Sequence, residues 1–281
     1  MELMLEIGFS LHVLMMNHLK VVCYNMHGFV NGYSTLLDLC GKYDIIGVEE
    51  HWLAPYNLND IQNFHPDFEC LCWSALSDKI KSGLLKGRPL RGLGLLFRKS
   101  LNLKVRVIDV MPSCRAAVLH CVFPSGYSLI IALVYFPCLS LTVDYECELC
   151  DCTGFIEKCF DAVAFDDIIV FGDMNFDCST SNAGWNIFHS FCDDVGLSRA
   201  DAFCKSDIQY TFFRESMMQH SVINHIFVTD GLASSAVSYY VIDEFTNLSD
   251  HLPVACDFKH KLRVLLDRPS NRPKFKQVEW C

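Results

Sequence analysis

Ile168-Ile169-Val170-Phe171-Gly172-Asp173-Met174-Asn175 is the stretch from which the rest of the chain is read. Its β-branched start reads as a buried strand, and Gly-Asp-x-Asn delivers two polar side chains at the C-terminal mouth. Asp173 and Asn175 are two apart, so on extended backbone they share a side. A carboxylate beside a carboxamide at such a mouth suits a phosphate or a hydrated metal. Taken alone, the same residues also fit a strand followed by an Asx-turn, because Asp and Asn hydrogen-bond their own backbone in turns. The neighbouring segments separate the two readings.

Upstream, Leu19–Tyr24 reads as a strand ending at Asn25-Met26-His27-Gly28, and Asp44–Val48 as one ending at Glu49-Glu50-His51-Trp52-Leu53. Ser34–Cys40 between them reads as a helix with Ser34 as N-cap. Residues 54–90 are a long connection with short elements. Gly92–Arg98, Val105–Val110, Arg115–Phe123 and Tyr127–Phe136 follow as strands, the last two joined by a Pro124-Ser125-Gly126 turn. Consecutive strands at this spacing predict antiparallel sheet rather than a doubly wound parallel one. Val143–Ala164 carries apolar residues at helical spacing, and Trp185–Val195 reads as a helix stopped by Gly196. Gln209–Phe213, Val222–Val228, Val237–Ile242 and Leu252–Phe258 read as the closing strands.

The 281 residues carry a net charge of −10, unevenly spread. Residues 259–281 hold seven Lys/Arg and two acids, so the preceding 258 carry 16 basic and 31 acidic groups, a balance of −15. Such a body binds a polyanion only through a local basic patch or a cation. Many of the sixteen Cys lie inside apolar runs, where a thiol behaves as a small hydrophobe, which points to a reducing, intracellular compartment, nuclear or cytoplasmic, rather than to secretion. Cys147, Cys150, Cys152 and Cys159 have partial zinc-like spacing without two clean pairs. No apolar run reaches membrane-spanning length, and the first 18 residues lack the basic n-region and small-residue cleavage site of a signal peptide. The expected layout is a leader over 1–18, a domain over 19–258 and a basic tail or linker over 259–281, with the chain a monomer.

Polar groups recur at the strand ends: Asn25, Glu50, Tyr135, Asp173, Asn175, Asn224, Asp250 and His251. Each has a local explanation as a turn, cap or solvated strand end. Together they make the inventory of a phosphodiester-cleaving site, which needs a cation against phosphate charge, a base for water and donors for the non-bridging oxygens. Mg²⁺ takes one or two carboxylates plus water and substrate oxygens, which Glu50 with Asp173 or Asp250 supplies. His251 supplies a base near neutral pH.

In order along the chain stand Tyr24-Asn25-x-x-Gly28, Glu49-Glu50-His51-Trp52-Leu53, Arg91-Gly92-Leu93-Gly94, Val134-Tyr135-x-Pro137, Gly172-Asp173-Met174-Asn175, Tyr210-Thr211-Phe212, Ser221-x-x-Asn224 and Ser249-Asp250-His251. Over about residues 19–258 this series resembles the endonuclease/exonuclease/phosphatase superfamily. The wording Asn25-Met26-His27-Gly28-Phe29 and Glu50-His51-Trp52-Leu53 looks most like the nuclease domain of non-LTR, LINE-type retrotransposons. The resemblance implies an α+β fold: a four-layer α/β/β/α sandwich of two mixed, mostly antiparallel sheets with outer helices. It implies Glu50, Asn25 and Asp250 on the side of an Mg²⁺ or Mn²⁺ ion. It implies Asn25, Asn175, Tyr135 and His251 on the substrate phosphate, and Asp173 and His251 as the groups that prepare water. DNA is the implied partner, with a reverse transcriptase supplied elsewhere, and no membrane.

Three positions depart from that pattern. The family's Ser-x-x-Asp stands as Ser221-Val222-Ile223-Asn224, so the partner of the catalytic His brings no charge. In the serine protease triad the corresponding Asp→Asn change costs about 10⁴ in turnover. Cys138 follows the Tyr-x-Pro motif where Asn is frequent, and His27 stands where many members have Asp or another polar residue. The sequence therefore leads to a DNA-nicking, metal-dependent endonuclease. Its alternatives are a catalytically impaired relic serving as a nucleic-acid or protein binding module, and a superfamily phosphatase acting on small phosphoesters.

Overall fold

Strand order decides where the polar ends meet. A computed structural model describes residues 18–75, 90–139, 144–214, 216 and 218–259. Most of the leader and all but the first residue of the basic tail lie outside them. The first sheet contains β1 (Leu19–Asn25), β2 (Ile45–Glu49), β3 (Phe68–Trp73), β4 (Leu93–Arg98), β13 (Ala236–Val241) and β14 (Val254–Phe258), in the order β13-β14-β1-β2-β4-β3. The second contains β5 (Lys104–Val110), β6 (Ala116–Val122), β7 (Ser128–Tyr135), β8 (Asp167–Asp173), β9 (Leu197–Arg199) and β12 (Asn224–Thr229), in the order β5-β6-β7-β8-β12-β9. β10 (Phe212–Arg214) and β11 (Gln219–Ser221) form a separate two-stranded ribbon.

Each six-stranded sheet holds one parallel pair, β1 with β2 and β7 with β8, and its other pairings are antiparallel. A parallel pair needs a crossover, and here a helix spans each one. α1 (Phe29–Lys42) joins β1 to β2, and α3 (Tyr145–Asp161) joins β7 to β8. The remaining helices are the one-turn α2 (Asn59–Gln62), α4 (Ala183–Val195) and the one-turn α5 (Asp230–Ala233). Leu19 of β1 stands opposite Phe258 of β14.

Alternation along the strands builds the layers. Val21, Cys23, Ile45, Leu133, Ile169, Phe171, Ile226 and Val254 meet between the sheets in one buried cluster. Val22, Tyr24, Ile46 and Val48 point the other way, beneath Leu36, Leu39 and Cys40 of α1. Ile130, Ala132, Ile168 and Val170 lie beneath Leu149, Cys152 and Ile156 of α3 and Phe188 and Phe191 of α4. The molecule is thus an α+β sandwich of two mixed sheets with helices outside, as the sequence leads one to expect.

Several local expectations shift. α1 starts at Phe29, five residues before the expected cap Ser34, and its N-cap is Gly28 with φ +101°. The amides of Gly28 and Phe29 donate to the carbonyls of Glu50 and His51, at 2.8 and 2.9 Å. Tertiary contact thus satisfies amides that a Ser side chain was expected to cap. β3 falls inside the stretch read as connection, and β9 was not foreseen. The expected strand over 209–213 shrinks to β10, and the one over 222–228 begins at Asn224, after β11. The helix expected over 143–164 is α3, which carries Cys147 and Cys150 on its exposed side and Cys152 and Cys159 on its buried side. Among the described residues all fifteen Cys are free thiols, and no helix is long and apolar enough to cross a membrane.

Candidate active site

The apolar inter-sheet cluster is closed at one end by a polar layer. On each of five strands, the side chain two residues beyond a core-facing position is polar: Asn25 after Cys23, Glu49 after Gly47, Tyr135 after Leu133, Asp173 after Phe171, and Asn224 before Ile226. The ladders bring them abreast. Asn25 pairs with Glu49, Tyr135 with Asp173, and Asn224 with Asp173. All five are buried.

Loops leaving those strands add the rest. Glu50, at φ +53°, breaks the alternation and turns its carboxylate toward the layer. The single amide nitrogen of Asn25 donates to Glu50 Oε1 at 2.8 Å and to Asp173 Oδ2 at 2.9 Å, so it ties the two carboxylates together. Asn25 Oδ1 accepts from the His27 amide at 3.1 Å, which fixes the orientation of the carboxamide. Trp52 Nε1 donates to Glu50 Oε2 at 3.0 Å. Gly28 makes room for that indole, because a Cβ there would come within 2.6 Å of it.

His251 enters from the loop before β14. Its Nδ1 donates to Asn224 Oδ1 at 2.9 Å, which leaves Nε2 as the lone-pair atom. Nε2 faces Asp173 Oδ2 at 3.8 Å and Asp250 Oδ1 at 3.9 Å, beyond direct hydrogen-bond reach. Thr211 braces both partners of this pair. Its Oγ1 accepts from the Ile223 and Asn224 amides at 2.9 and 3.1 Å, and its carbonyl accepts from the Leu252 amide at 2.8 Å. The Phe212 ring lies 4.7 Å from that of His251. Ser249 Oγ donates to the Asn25 carbonyl at 2.8 Å, pinning the same loop to β1.

Asp250 lies 2.5 Å from His27 Nδ1. Burial pushes its carboxyl up, but the His27 hydrogen bond and the charges of His251 and His27 outweigh that and hold it below the usual value. Asp173 is raised by burial, against the pull of His251 and the Asn25 hydrogen bond. Tyr135 is raised by burial and by the charges of Glu50, Cys138 and Asp173. Asn175 sits to one side at φ +55°, its amide nitrogen donating to the Phe136 carbonyl at 2.9 Å and its backbone amide to Asp173 Oδ1 at 3.0 Å. The Cys138 thiol donates to Asn175 Oδ1 at 3.1 Å.

Thus Asn25, Glu50, Asp173, Asn224, Asp250 and His251 converge, Tyr135 lines the same layer, and Asn175 joins through Asp173. Glu49 belongs to the layer as well, although from the sequence it was read only as a strand end. Period-two counting from the core-facing Gly47 is the signal that finds it. Among the described residues no group of three or more His, Cys, Asp or Glu side chains is already arranged to hold a metal ion. The donor set still fits a hard divalent cation, which needs one or two carboxylates and completes its shell with water and substrate oxygens. Four carboxyl groups, from Glu49, Glu50, Asp173 and Asp250, would otherwise repel a phosphate.

The fold recurs in solved structures. An AP endonuclease from Leishmania major superposes with TM-score 0.67 at 11% identity, over 87% of this chain and 88% of that one. A family protein from Bacteroides thetaiotaomicron superposes with TM-score 0.61 at 15% identity, over 85% and 94%. The fold is the endonuclease/exonuclease/phosphatase fold. A third structure with the endonuclease/exonuclease/phosphatase fold, a 3′ phosphatase from Neisseria bound to product DNA hairpin, gives TM-score 0.62 at 16% identity, over 85% and 99%. No family model and no curated protein matches the sequence.

Proposed function

We propose that this chain is a divalent-cation-dependent phosphodiesterase that nicks DNA, an endonuclease of the non-LTR retrotransposon kind. The observation that carries this reading is the hydrogen-bonded set Glu50–Asn25–Asp173, with His251 Nε2 facing the same Asp173 oxygen. Mg²⁺ or Mn²⁺ bound beside Glu50 and Asp250 would neutralise charge on the scissile phosphate. Asn175 and Tyr135 meet the phosphate oxygens, and Asn25, whose two N–H groups are taken by Glu50 and Asp173, holds those carboxylates in place beside them. Asp173 Oδ2 would orient a water beside His251. Nε2 takes a proton from that water as its oxygen bonds to phosphorus, while the P–O bond to the departing deoxyribose oxygen breaks in line and that oxygen is protonated by solvent. Asn224 Oδ1 keeps Nδ1 protonated and the ring in place. DNA is the partner.

A second reading is a nuclease fold silenced at one residue and used for binding nucleic acid or a protein. It is favoured by Asn224 Nδ2, which is buried without a hydrogen-bond partner, and by the missing charge against an imidazolium. A supercoiled-plasmid nicking assay in Mg²⁺ or Mn²⁺ separates the two. On the leading reading the natural chain nicks, Glu50→Ala abolishes nicking, and Asn224→Asp raises turnover by about 10² or more, within the triad precedent. Nicking untouched by Glu50→Ala and by chelator sinks that reading. A silent natural chain with an active Asn224→Asp variant establishes the second. Turnover of small phosphoesters above that of plasmid would instead mark a phosphatase.

A further inference from the structure

Glu49 has both carboxylate oxygens buried, with no hydrogen-bond partner. Its residue is 0% exposed. A carboxyl group taken out of water without a donor costs several kcal/mol, so an orphan of this kind calls for a partner. Its place in the fold says where that partner would sit. Glu49 continues the core-facing row Ile45, Gly47 of β2 and stands beside Asn25 in the β1–β2 ladder. Across the gap lies Gly172, the residue before Asp173. A Cβ on Gly172 would come within 2.1 Å of the Val134 carbonyl oxygen and 3.0 Å of Glu49 Oε1, so the missing side chain lets the Glu49 carboxyl pack close beside β8. The charges that bear on Glu49 are those of Asp173 and Glu50, both negative. Glu49 thus has two further carboxyl groups near it and no donor of its own.

We propose that Glu49 is a further carboxylate of the cation site, acting with Glu50 and Asp173 on a hard divalent cation, directly or through its hydration water. This rests on the cation-dependent reading of the site, and the test keeps the two apart. Mn²⁺ binding to the full chain is measured by calorimetry and by the gain in thermal midpoint, so that no turnover is needed. Glu49→Gln, the apolar Glu49→Met and Glu50→Gln are run beside the natural chain. Loss of a buried group that supports a metal typically costs 10–100-fold in affinity. Both Glu49 variants are expected to bind Mn²⁺ at least about tenfold more weakly, and Glu49→Met, which needs no partner, to melt no lower than the natural chain without Mn²⁺. Weakening in Glu50→Gln with unchanged affinity in a folded Glu49 variant overturns the role of Glu49 alone. Unchanged affinity in Glu50→Gln, or no binding by the natural chain, overturns the cation reading and this proposal with it.

Discussion

Asn224 and His225 are neighbours in β12 and face opposite sides of their sheet. Asn224 turns inward to His251, whereas His225 is buried on the far side and donates from Nε2 to the Val222 carbonyl at 3.0 Å. Burial, with help from Arg199, lowers the His225 pKa to about 4, and burial lowers His51 to about 4 as well. The unfolded chain protonates these rings near their ordinary 6.5. Between pH 6.5 and 4 the unfolded state therefore binds more protons, and stability falls as pH falls through that window. At the limit each ring contributes about 3 kcal/mol of loss. Urea midpoints taken from pH 7 to pH 4 should decline, and His225→Gln should flatten part of that slope. A slope identical in the variant would show that His225 titrates normally in the folded protein.

At the scale of the element, alternation and its breaks decide which side chains reach the site. The resemblance pointed to Glu50, and Glu50 arrives because its left-handed backbone ends the period-two rule. Glu49, which obeys the rule, was passed over. The strands that carry the site were legible because their apolar runs are long and end in polar residues. β3 and β9 were not, since one is an edge strand inside a Pro-rich connection and the other has three residues. The start of α1 was missed because its first amides find carbonyls far along the chain. Gly172 is the tightest of these positions. Its φ is +137°, and a Cβ would approach the Val134 carbonyl oxygen to 2.1 Å. Gly172→Ala should destabilise the protein by about 3 kcal/mol or more, read from denaturant midpoints, because β7 and β8 must part to admit a methyl. An unchanged midpoint would show that the two strands yield more easily than their register implies.

For the molecule as a whole, the two helix-spanned parallel pairs lie face to face, and each sends its C-terminal ends to the same layer. Residues from Asn25 to His251 therefore become a site only when both sheets are formed and packed. Charge is the other global property. The body is acidic, and the seven cations of 259–281 are the densest positive stretch. A chain ending at Lys259 loses six of them. On the proposed DNA-nicking function, its DNA affinity should fall, and the slope of log K against log salt should become shallower by about 0.9 for each phosphate that the shortened chain no longer neutralises. Fluorescence anisotropy at a series of salt concentrations measures both. An unaltered slope would mean that the body alone neutralises the phosphates.

The partnership of Leu19 with Phe258 carries a practical meaning. β1 runs six residue steps, roughly 20 Å, from Leu19 to the polar layer at Asn25. The first and last strands thus open side by side on the pole away from the chemistry. Residues 19 and 258 both lie at the end of the sandwich opposite the candidate site, so a tag or surface anchor joined at either point begins roughly 20 Å from the polar layer.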